Sequence, residues 1–188
     1  MKTLVCFGDS ITADETFFDG MPRLTPCLQE MFPKWKVVNA GVPGDNTLDA
    51  LHRIEEDVIS YKPDFVTVFL GTNDAVSFSQ VSLQAYKENL EKIVNHISSD
   101  KVLLISPAPV DEERQRNRTN RVLGQYADVV EKVARETGSY FLNVFAEMIQ
   151  ERDYKRFVEN DEKDGLHFGP EGYEYVARLI GEKLKGIL

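Results

Sequence analysis

The stretch Phe65-Val66-Thr67-Val68-Phe69-Leu70, followed by Gly71-Thr72-Asn73-Asp74, decides the fold. A strand-length run with no polar face suits the centre of a parallel sheet, where helices cover both sides. A helical pattern comes next: Leu83, Tyr86, Leu90, Ile93 or Val94, and Ile97 recur three or four apart, opposite Glu88, Glu91 and Lys92. Outward from this unit, apolar runs of strand length recur at 3–7, 35–39, 102–105 and 140–144, with helical spacing between or after them. Leu48, Leu51, Ile54 and Val58 make one such stripe. Tyr173, Val176, Ala177, Ile180 and Leu184 make another, with Pro170 at its first turn. No repeat, low-complexity tract or linker interrupts the alternation. It predicts an α/β fold: a three-layer α/β/α domain, residues 1–188, on a flavodoxin-like, five-stranded, mainly parallel sheet.

Size and charge narrow the functions. With 188 residues, 42% of them hydrophobic, the chain suits one domain with a sizeable core. Twenty-two Lys and Arg stand against 31 Asp and Glu, and the net charge of -9 repels a phosphate backbone or an anionic membrane, so nucleic acid is not an expected partner. Cys6 and Cys27 have neither metal-site nor disulfide-framework spacing, and suit a reducing cytoplasm. The apolar run at 4–7 is shorter than a signal-peptide core and far below a membrane span, so the chain reads as cytoplasmic, with no integral membrane contact.

In an open parallel sheet, sites gather at the carboxyl ends of strands. Gly8-Asp9-Ser10 follows the first strand, Gly41-Val42-Pro43-Gly44-Asp45 the second, and Gly71-Thr72-Asn73-Asp74 the third. Hydrolysis by serine needs an exposed hydroxyl, a histidine to take its proton, a carboxylate to fix that histidine, and donors for the oxyanion. Ser10 stands where a tight turn enabled by Gly8 raises a hydroxyl above the sheet edge. Of the three histidines, His52 and His96 border helical stripes and read as surface or interfacial residues. His167 instead lies in a glycine-flanked loop before the last helix, three residues after Asp164. Residues three apart in a turn have α-carbons within about 7 Å, so the Asp164 carboxylate can reach Nδ1 and leave Nε2 for substrate. The backbone N–H groups of Ser10 and Gly44 and the Asn73 amide are the candidate oxyanion donors. For each of these residues, an ordinary turn or capping role is the competing reading.

Taken together, Phe7-Gly8-Asp9-Ser10-Ile11-Thr12, Asn39-Ala40-Gly41-Val42-Pro43-Gly44-Asp45, Gly71-Thr72-Asn73-Asp74 and Asp164-Gly165-Leu166-His167 resemble, in order and spacing, the four sequence blocks of the SGNH (GDSL-type) hydrolases. The resemblance covers almost the whole chain. It implies the SGNH hydrolase fold and a carboxylic ester hydrolase with Ser10 as nucleophile, Asp164 and His167 as its partners, and Ser10, Gly44 and Asn73 as the oxyanion hole. Phe168, the Gly-Pro-Glu-Gly-Tyr that follows it, and Pro107-Ala108-Pro109-Val110 also resemble the isoamyl-acetate-hydrolysing esterase subgroup. The ordinary α/β-hydrolase elbow G-x-S-x-G is not matched, because Thr12 holds its last position.

The expected substrate is a small or short-acyl ester, and the expected site has no metal and no cofactor. Within the same site, a sugar O-acetyl ester, a thioester or a lysophospholipid are alternatives. Asp9, Asp45, Asp74 and Asp164, with Asn73 and His167, form a rival set of ligands for a metal-dependent phosphohydrolase. A non-catalytic binding domain is a third reading. Phe17, Phe18 and Phe78 lie just beyond the loops and either line an acyl pocket or pack back on the core. The charged run from Asp111 to Arg118 reads as either a flap over the site or a solvated approach to a helix.

Overall fold

The computed structural model describes residues 1–188. Strands β1 (Lys2–Gly8), β2 (Trp35–Gly41), β3 (Phe65–Phe69), β4 (Val102–Ile105) and β5 (Tyr140–Leu142) form one sheet in the order β2-β1-β3-β4-β5. Every pairing is parallel, with Cys6 opposite both Asn39 and Thr67. The helices are α1 (Ser10–Ala13), α2 (Leu24–Met31), α3 (Thr47–Asp57), α4 (Leu83–Ile97), α5 (Asn120–Thr137), α6 (Val144–Ile149) and α7 (Pro170–Lys185).

Alternation along the buried strands sorts side chains into two cores. Val5, Phe7, Val66, Val68, Val102 and Leu104 face α3, α4 and α5, where Ile54, Tyr86, Leu90, Leu123 and Val130 meet them. Leu4, Cys6, Phe65, Phe69, Leu103 and Ile105 face the other way, onto Leu24, Leu28, Val144, Phe157, Val176 and Ile180. This is why the run at β3 shows no polar face: all five of its residues are buried.

Local chemistry sets the helix ends. Asn46 and Asp49 make a capping box on α3, Ser82 and Thr119 cap α4 and α5, and Pro170 occupies the first turn of α7. Three expectations need correction. The fifth strand stops at Leu142, because the Asn143 side chain accepts from the Ala146 N–H and Val144 already begins α6. Leu48 and Leu83 are 50% and 37% exposed, since each stands in the first turn of its helix, beyond the edge of the layer it would cover. Gly8 is no turn residue. It is the last residue of β1, and what it supplies is room, because a Cβ there would stand 2.2 Å from Thr12 Oγ1 and 3.0 Å from the Phe69 carbonyl oxygen.

No helix is long and apolar enough to cross a membrane. The tight approach of α1 to β1 yields a first prediction. Gly8→Ala should lower unfolding free energy by about 1–3 kcal/mol through overpacking and shift Ser10; an unchanged urea midpoint with unchanged activity would show that α1 moves aside freely.

Candidate active site

Ser10 begins α1, which has only four residues and is held from three directions. The Asp9 carboxylate accepts from the Ile11 N–H at 3.0 Å. Asn39, on β2, donates to the carbonyls of Thr12 and Ala13 at 2.7 and 3.1 Å. From α7, the Tyr173 hydroxyl donates to the Ile11 carbonyl at 3.0 Å. A helix this short has little stability of its own, so these anchors set the position of Ser10.

His167 arrives from the far end of the chain. Its Nε2 stands 2.9 Å from Ser10 Oγ, and its Nδ1 stands 2.5 Å from Asp164 Oδ2. Asp164 Oδ1 accepts from the N–H groups of Leu166 and His167 at 2.9 and 3.1 Å. Burial pushes this carboxyl up, but those two N–H groups and the imidazole outweigh it and leave it below the ordinary aspartate value. Asn160 completes the loop by donating to Asp164 Oδ1 at 3.2 Å and to the His167 carbonyl at 2.7 Å. The sequence offered no signal for Asn160, which belongs to none of the polar blocks.

The other two expected residues sit on neighbouring loops that are tied together. Gly44 adopts φ +87, which favours glycine, and its N–H has no partner within the protein. Asn73 Nδ2 donates to the carbonyl of Asp45, the next residue, at 2.9 Å. Arg53, another residue the sequence did not single out, gathers the same region. Its guanidinium bonds the carbonyls of Gly8 and Ala40, both at 2.9 Å, and pairs with Asp45 at 2.5 Å and Asp57 at 3.0 Å.

The rival carboxylate set disperses. Asp9 turns to Ile11, Asp45 to Arg53, and Asp74 to the N–H and hydroxyl of Thr47. Atoms of Glu162, Asp164 and His167 do lie within 4.8 Å of one another, yet Asp164 Oδ2 and His167 Nδ1 are already hydrogen-bonded together. His52 and His96 are exposed on α3 and α4, and His96 pairs with Glu55.

Ser10 and His167 open on a cavity of about 400 Å³ lined also by Asp14, Phe17, Phe18, Arg23, Pro43, Asn160, Asp161, Glu162 and Phe168. Phe17 packs edge-on against Tyr173, whereas Phe18 is fully exposed at the rim. Phe78, 77% exposed, does not line this cavity. The run from Asp111 to Arg118 is anchored, not free-standing: the Asp111 N–H donates to Gly165 at 2.8 Å, and the Asn117 carbonyl accepts from Ser77 at 2.9 Å.

A model of the GDSL-like lipase/acylhydrolase family matches residues 6–175. The chain belongs to that family. Its sheet and helices superimpose on a lipase/acylhydrolase from Enterococcus faecalis with a TM-score of 0.91 at 32% identity, over 99% of this chain and 96% of that one. It is 30% identical over 197 residues to the human isoamyl acetate-hydrolyzing esterase 1 homolog, covering 92% of this chain and 77% of the relative. An acetylxylan esterase from Geobacillus stearothermophilus superimposes with a TM-score of 0.76 at 25% identity, over 97% and 94% of the two chains. This family member therefore has the SGNH hydrolase fold, and its esterase relatives make it a carboxylic ester hydrolase.

The fully buried Asp9 gives this family member a testable pH response. Burial raises its carboxyl to about 6, against 3.8 for a free side chain. The folded state therefore binds the proton more tightly than the unfolded one. That contribution to stability is full below about pH 4 and is lost as pH rises through 6. Asp9→Asn keeps an acceptor for Ile11 without the charge, so its stability relative to the unsubstituted protein should rise between pH 4 and 7 in urea titrations. A difference that stays flat or falls would contradict a carboxyl that burial holds above its ordinary value.

Proposed function

We propose that this esterase works through an acyl-serine intermediate, with Ser10 as nucleophile, His167 as general base and acid, and Asp164 as the carboxylate that orients it. The observation carrying the proposal is the Ser10 Oγ to His167 Nε2 distance of 2.9 Å, within proton-transfer reach. With Asp164 ionised and accepting at Nδ1, the tautomer is fixed: Nδ1 carries the hydrogen and Nε2 is free to accept.

The steps follow from that tautomer. Nε2 takes the Ser10 proton while Oγ attacks the ester carbonyl carbon. The oxyanion is met by the N–H groups of Ser10 and Gly44 and by Asn73 Nδ2. Collapse breaks the bond to the alcohol, which leaves with the proton from Nε2. Water then attacks the acyl-serine and gives a proton to the same nitrogen, which passes it to Oγ as the acyl bond breaks, releasing the acid and restoring the free hydroxyl.

Small, short-acyl esters fit a cavity of about 400 Å³ in which three phenylalanine rings are interspersed with polar and charged side chains. A sugar O-acetyl ester is the second reading. It is favoured by the exposed ring of Phe18 beside the carboxylates of Asp14, Asp161 and Glu162, which offer a stacking face and hydroxyl acceptors, and by the likeness to an acetylxylan esterase.

The test is a substrate series. Among p-nitrophenyl esters, kcat/KM should peak at two to four acyl carbons and fall with longer chains; acetylated xylooligosaccharides in the same series decide between the two readings. Ser10→Ala should lower kcat by about 10⁴-fold or more, and EDTA should leave the rate unchanged. Substantial turnover by Ser10→Ala, or loss of activity to EDTA restored by a divalent metal, would overturn the mechanism.

A further inference from the structure

Arg118 lies in the charged run before α5, and it turns inward. Its Nε donates to the Thr72 carbonyl at 2.6 Å and its Nη2 to Asn73 Oδ1 at 2.8 Å. One guanidinium thus grips two successive residues of the loop that carries the Asn73 amide. Its backbone is held on both sides: the Asn117 carbonyl accepts from Ser77 in that same loop, and the Thr119 side chain caps α5.

We infer that Arg118 is a positioning residue for ester hydrolysis, setting which face of the Asn73 amide meets the oxyanion; this rests on the role proposed above for Asn73. An amide has an acceptor end and a donor end, and the two are easily exchanged by rotation. Here Arg118 occupies Oδ1 while the Asp45 carbonyl takes one Nδ2 hydrogen at 2.9 Å. Rotation would set the amide N–H groups against a guanidinium and Oδ1 against a carbonyl, losing both bonds to like-facing groups. The second Nδ2 hydrogen is then directed away from Asp45 and is available to the oxyanion. A charged donor on Oδ1 also draws electron density from the amide and strengthens Nδ2 as a donor.

Arg118 also sits in the field of the site. Asp9 and Asp164 both stabilise its charge against the burial that pulls its pKa down. The cation therefore stands among the groups around Ser10 and His167, without lining the cavity they open on. This placement separates it from a substrate-binding arginine: it acts on kcat through Asn73, not on KM through the ester.

A double-mutant cycle on the full chain reads this out, using p-nitrophenyl acetate and Arg118→Met, Arg118→Lys, Asn73→Ala and Asn73→Ala/Arg118→Met. Arg118→Met should lower kcat roughly 10- to 100-fold with KM within about twofold, and Arg118→Lys should recover part of the loss, since one ammonium cannot serve both acceptors. In the Asn73→Ala background the same Arg118 change should cost less than about twofold. Equal losses in both backgrounds, a rise in KM at constant kcat, or no loss at all would overturn the inference. If Arg118→Met fails to fold by circular dichroism, Arg118→Gln replaces it in the same cycle. An unchanged kcat in Asn73→Ala alone would instead sink the oxyanion role proposed for Asn73, so the two failures are told apart.

Discussion

The carbonyl groups at the carboxyl edge of a parallel sheet must find donors, and in this molecule side chains on the helices and on the approach to α5 supply them. A buried carbonyl left unpaired costs free energy comparable to a lost hydrogen bond. Arg53, from α3, bonds Gly8 and Ala40 at the ends of β1 and β2. Tyr86, from α4, bonds Leu70 after β3, and Arg118, just before α5, bonds Thr72. Each donor satisfies a carbonyl at or just beyond the sheet edge and, in the same stroke, fixes a loop that carries a candidate site residue. The requirement that closes the fold therefore also shapes the site.

The remaining part of the site is built differently. Asn160, Asp164, Leu166 and His167 hold one another through local bonds, so this loop carries a nearly complete unit of its own. It needs only to be set down against α1, and Tyr173 does so by linking the last helix to Ile11, one residue past Ser10. A serine and a histidine separated by most of the chain meet beside this contact, on the core that Ile11, Leu24 and Leu28 share with Phe168, Val176 and Ile180. Asp74, held by Thr47 beneath the loops, and Asp45, paired with Arg53, show that acidic residues around a site can be structural.

How far the site was legible follows from where each bond is made. Asp164 and His167 stand three residues apart, and their pairing can be argued from turn geometry alone. Ser10, Gly44 and Asn73 are marked by their place after strands. Arg53, Arg118 and Asn160 carry no such mark, because a charged or amide residue in a helix or a charged run reads by default as solvated, and only the packed structure shows it turned inward. The exposed Leu48 and Leu83 are the same error in reverse, since helical spacing reports which face a residue shares, not how far the neighbouring layer extends.

The sequence by itself determined the layer order and all five strands to within two residues at either end, and it marked candidate side chains for the chemistry. Period-two and period-3.6 patterns are local and survive without tertiary context. The tertiary structure alone decided the 2.9 Å meeting of Ser10 with His167 and the inward turn of Arg53 and Arg118. Those depend on which donors the buried strand ends can reach once the helices have packed, and no local pattern encodes that distance.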